Sequence, residues 1–68
     1  MDNVTIKNNI RKIRKARRVT QEEMADRLGM SITAYRDFER GNTSILNNNL
    51  IKISTLLETP AEELVLGY

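Results

Sequence analysis

A chain of 68 residues, 40% hydrophobic and 29% charged, has room for one small domain and a modest core. It contains neither cysteine nor histidine, which removes disulfides, thiolate or imidazole metal sites, and the usual nucleophile–base pairs of enzymes; no metal and no cofactor are expected. The net charge of +2 hides an asymmetry: residues 1–20 carry seven basic side chains against Asp2 alone, and residues 21–68 carry four basic against eight acidic. A segment this basic is a candidate phosphate-facing surface, or else a solvated face that only confers solubility. Nothing approaches the roughly 18 apolar residues of a membrane span or the core of a signal peptide, so a cytoplasmic domain with no membrane partner is expected.

In chain order, residues 1–4 read as a flexible N-terminus and residues 5–68 as one all-α domain of five helices. Ile6, Ile10 and Ile13 recur at helical spacing and Ala16 continues the stripe, which predicts a first helix over about 5–17. Thr20 is an N-cap with Glu23 three residues on, a capping box, and Val19 and Met24 stand at the flanking staple positions. Met24, Ala25 and Leu28 line one side of this second helix, and Gly29 ends it. Ser31 caps a third helix over about 32–40, with Tyr35 and Phe38 inward and Gly41 as its stop. Two helices joined by so short a glycine turn cross steeply, as in a helix-turn-helix unit at about 20–40. A polar connection leads to a fourth helix at about 48–57, with Leu46, Leu50, Ile53 and Leu57 as its stripe and Ile51 and Leu56 beside it. Thr59 is expected to cap a last short helix, with Pro60 at its first position and Glu62 completing a second capping box.

The run Thr20-Gln-Glu-Glu-Met-Ala-Asp-Arg-Leu-Gly-Met-Ser31, followed by Tyr35, Phe38 and Glu39-Arg40-Gly41, closely resembles the Cro and phage-repressor type of helix-turn-helix (XRE-like) domain. The resemblance covers residues 6–66 and implies a lambda repressor-like fold that binds double-stranded DNA, with the third helix in the major groove. It places Ile32, Thr33, Arg36 and Asp37 toward base edges. A guanidinium at position 36 can bond guanine O6 and N7 together, or else contact phosphate or solvent. Ile32 offers only apolar contact, and Thr33 a hydroxyl and a methyl. Asp37 must accept from a cytosine amino group, pair with Arg36 or Arg40, or oppose wrong sequences.

Phosphate contacts are implied for Gln21 at the start of the second helix, with Thr20 and Ser31 secondary to their capping roles. Arg11, Arg40, Asn42, Thr43 and Ser44 complete the implied backbone set. The basic pool of the first helix is Arg11, Arg14, Lys15, Arg17 and Arg18, which cannot all face one way at about 100° per residue. Arg14 and Glu39 match a pair that the family uses to join its first and third helices. Three departures stand out: Tyr35 replaces the usual Ile or Val, residues 41–49 hold no Lys or Arg, and Asn47 takes a commonly apolar position whose space Leu46 can fill.

The reading is therefore a transcriptional regulator, most simply a repressor, acting as a homodimer on a palindromic operator. Leu50, Leu64, Leu66 and Tyr68 are the expected dimer residues, because the last third of the chain has more apolar side chains than one stripe needs. The rival reading is a protein-interaction module such as an antitoxin that grips a toxin. An enzyme is not expected, since Glu22/Glu23 and Glu62/Glu63 diverge around helix starts where acidity is favoured without catalysis.

Overall fold

The computed structural model describes residues 3–41 and 47–67, and among them all regular structure is helical: α1 (Asn3–Ala16), α2 (Gln21–Leu28), α3 (Ile32–Glu39), α4 (Asn47–Leu56) and α5 (Ala61–Leu66). The caps explain the breaks. Thr20 Oγ1 accepts from Glu23 N–H at 3.0 Å, and Ser31 Oγ accepts from Ala34 N–H at 3.0 Å. Gly29 takes the left-handed conformation (φ 69°) at the end of α2. Its amide bonds Asp26 O and that of Met30 bonds Ala25 O, which turns the chain straight into α3.

The same paired motif ends α1 and α4, but without glycine. Arg18 (φ 59°) and Glu58 (φ 51°) adopt the left-handed conformation there. Their amides bond Lys15 O and Thr55 O, and the next amides, of Val19 and Thr59, reach Arg14 O and Ser54 O. No glycine marks these two stops in the sequence.

α1 packs against α3 and α5, α2 against α3 and α4, and α4 against α5. Between them lies a core of Ile6, Ile10, Met24, Ala25, Leu28, Tyr35, Phe38, Ile53, Leu57 and Leu64. The Tyr35 and Phe38 rings sit 5.8 Å apart and tilted by 57°. Val19, Leu50 and Leu56 pack partly against this core.

Four expectations need correction. α1 starts at Asn3, so Val4 is helical rather than part of a flexible arm. Ala16 is exposed, and the place that follows Ile6 and Ile10 four residues on is filled by buried Arg14. Thr59 does not cap α5: Pro60 (ψ 140°) is the N-cap residue, and the buried Thr59 hydroxyl donates to Leu57 O at 3.0 Å. Leu64 cannot be a dimer residue, because the core takes up its side chain completely (0% exposed). Leu66 remains 60% exposed. Leu46 and Tyr68 lie outside the described residues.

Candidate functional site

α1, the start of α2 and the outer side of α3 enclose an open cleft of about 650 Å³ lined by Lys7, Arg11, Arg14, Lys15, Gln21, Arg36, Glu39 and Arg40. Its floor is a buried polar seam. Arg14 donates from Nε to Glu39 Oε2 at 2.7 Å and from an Nη to Oε1 at 3.1 Å, and its other Nη bonds Val19 O at 2.8 Å. A charge can be buried here because every oxygen and nitrogen finds a partner. Among the described residues, no buried side-chain polar atom lacks a hydrogen bond.

Glu39 takes two further donors: the Tyr35 hydroxyl at 2.5 Å and Gln21 Nε2 at 3.1 Å. This is how the fold accommodates a tyrosine where an aliphatic residue is usual: the ring enters the core, and its hydroxyl, one helical turn before Glu39, meets the carboxylate. Burial pushes the Glu39 carboxyl up, but the hydrogen bonds from Arg14, Tyr35 and Gln21 outweigh it and hold the group below the ordinary glutamate range. Burial, then the bond to Glu39, pushes the Tyr35 phenol far above its usual value. Burial lowers the Arg14 guanidinium, and the bond and charge of Glu39 reverse the direction and raise it. The seam is ionised at neutral pH with its tyrosine protonated.

Gln21 joins the seam to the surface. While its amide nitrogen donates to Glu39, its Oε1 faces Arg36 Nε at 3.4 Å. Arg36 also stands 3.8 Å from Glu22 and stays about half exposed. Asp37 pairs with Arg40 at 3.7 Å, one of the three roles open to it in the sequence. Thr33 is exposed, whereas Ile32 is half buried and packs partly against the core. Thr20, Ser31, Arg11 and Arg40 are exposed, and Gln21 is half buried. Asn42, Thr43 and Ser44 lie outside the described residues.

Sequence reasoning missed the Tyr35–Glu39–Gln21 bonds and the presence of Lys7 in the cleft. The signals were there in the spacing: Tyr35 and Glu39 are four apart, as are Lys7, Arg11 and Lys15, which puts each set on one helix face. No group of acidic side chains among the described residues has the clustering that a metal ion needs. No described helix is long and apolar enough to cross a membrane.

The helix-turn-helix family model matches residues 10–64. Two curated proteins are similar over 59 residues, 87% of this chain. The cryptic phage CTXphi transcriptional repressor RstR of Vibrio cholerae serotype O1 is 41% identical, with 53% of its length covered. The uncharacterized HTH-type transcriptional regulator YqaE of Bacillus subtilis is 37% identical, with 51% of its length covered. The chain thus spans about half the length of these relatives.

Proposed function

This chain belongs to the helix-turn-helix family, and from that premise we propose that it is a transcriptional repressor that reads double-stranded DNA by inserting α3 into the major groove. The observation that carries the reading is the outer side of α3, where exposed Arg36 borders a cleft lined by cations and Thr33, three residues earlier on the helix, is also exposed. Arg36 bonds a guanine, and Thr33 contacts a neighbouring base through its hydroxyl or methyl. Its contacts with Gln21 and Glu22 in the free protein are long and solvent-exposed, so they are weak enough to yield to a base. Thr20, Gln21 and the free amides at the start of α2 seat a phosphate. Repression, rather than activation, follows the named role of one relative.

The working unit in this reading is a cytoplasmic homodimer on a palindrome, since one recognition helix covers only a half-site. With Leu64 committed to the core, exposed Leu66 and half-buried Leu50 remain as candidate contacts. Sedimentation of the free protein and of its DNA complex tests this: Leu66→Asp should weaken the two-copy complex, and a single copy bound regardless of that change would refute the dimer.

The direct experiment is selection from a random duplex library. The reading expects an enriched motif with two inverted half-sites and an affinity that falls with salt. A retained pool no different from the input would overturn it.

A further inference from the structure

We propose that Lys7, Arg11 and Lys15 of α1 form, with Arg40 at the C-terminal cap of α3, a seat for the phosphates of one DNA strand, a binding role that rests on the DNA-reading function above. Each of the three lies four residues after the last, so they form a row on one face of α1 that spans about 12 Å at 1.5 Å per residue. Duplex DNA presents a phosphate about every 3.4 Å of axis on each strand, so a row of this length meets more than one. All three side chains line the same cleft, facing Arg36 and Arg40 across it.

Among the described residues, the three cations of α1 have no acidic partner, whereas Arg40 shares a long, exposed contact with Asp37 at 3.7 Å. The acidic residue that lines the cleft, among those described, is Glu39, whose oxygens are occupied by Arg14, Tyr35 and Gln21. The other basic side chains are sorted elsewhere. Arg17 donates to Glu58 O at 3.2 Å, at the end of α4. Lys12 lines a small cavity beside Asn9 and Gly67, and Arg27 and Lys52 line the groove between α2 and α4. The basic first third of the chain is therefore split by the fold, with a subset aimed at the space beside α3. The stretch 41–49 holds no Lys or Arg that could take over this role.

Two charge-matched variants test the assignment on the duplex recovered by selection. One is Lys7→Gln/Arg11→Gln/Lys15→Gln; the other is Lys12→Gln/Arg27→Gln/Lys52→Gln, away from the cleft. Because Lys7 is half buried with its stem against Gly41, the exposed pair Arg11→Gln/Lys15→Gln is measured beside the triple, so a folding defect cannot decide the result. The slope of log K against log salt should become shallower by about 0.9 for each phosphate contact removed in the cleft variants. Their affinity should fall equally on all sequences, and the preferred motif should stay the same. The distal triple should keep the wild-type slope. Equal slopes for cleft and distal variants would overturn the phosphate seat while leaving DNA reading intact. A wild-type protein that retains no duplex would instead remove the function on which the seat rests.

Discussion

α1 is held on its two flanks by different physics. Toward α5, Ile6 and Ile10 share the apolar core with Leu64, and Asn9 Nδ2 donates to Leu64 O at 2.8 Å. Toward α3 it is joined by the Arg14–Glu39 pair, with Tyr35 and Gln21 completing the bonds. Apolar packing gains free energy wherever area is buried and tolerates small shifts. A buried ion pair is weak evidence for stability, because desolvation offsets most of its attraction, but it is satisfied in only one geometry. The polar flank thus fixes α3, the helix proposed to meet bases, while the apolar flank supplies cohesion.

The largest expected effect comes from breaking the polar flank. Glu39→Ala leaves the Arg14 guanidinium buried with its charge unpaired, and should lower unfolding free energy by about 3–5 kcal/mol in denaturant titration. The joint change Arg14→Met/Glu39→Leu should recover much of that loss, because it removes both charges. It should still weaken discrimination among DNA sequences if the pair orients α3. A joint variant as unstable as the single one would show that the seam is primarily cohesive.

Tyr35→Phe is the next smaller cut. It keeps the ring in the core but removes a donor from a buried carboxylate, which should cost about 1.5–3 kcal/mol in the same titration. pH separates these two partners. Glu39 is held below the ordinary glutamate range when folded, so its stabilisation is complete above that range and is lost as pH falls through the folded value. Glu39→Gln should flatten this acid limb. Tyr35 is held far above its usual range, so its contribution is complete below pH about 10 and is lost as pH rises beyond it. Tyr35→Phe should flatten that alkaline limb and shrink the acid one without abolishing it, because the lost hydroxyl is one of the three donors that hold Glu39 low.

The smallest effects fall where α1 and α4 stop. Arg18 and Glu58 adopt a left-handed conformation that side chains oppose, so glycine at either position should raise stability by up to about 1 kcal/mol. Thermal unfolding should show the increase most clearly for Glu58→Gly. At Arg18 the adjacent Val19 carbonyl also holds Arg14, so added freedom there offsets part of the gain.

These cases mark what a linear sequence can disclose. Thr20, Gly29 and Ser31 were legible because capping and left-handed turns act within a few residues and favour particular residue types. Arg18 and Glu58 were not, since residues that normally avoid the conformation stop those helices. The Arg14–Glu39 pair was accessible only through family resemblance, because 25 residues separate its members. The stripe itself misled at Ala16: a charged residue at the next core place breaks an apolar pattern, although the fold continues it. Thr59 misled in the opposite way, as a good capping residue whose hydroxyl instead donates to Leu57 O, two residues back. The proposed DNA-facing residues were legible as a list but not as a surface. Only the packing of α1 beside α3 sorts Lys7, Arg11 and Lys15 from Lys12 and Arg17.

Whether α3 reads bases is tested most directly by titrating wild type and Arg36→Ala against a panel of duplexes, each with one base pair of the selected site changed. Arg36→Ala should cost about 1–3 kcal/mol on the best site and abolish discrimination at one position while leaving the others unchanged. A loss of the same size on every duplex, with all preferences retained, would contradict base reading by Arg36 and reduce it to a backbone contact.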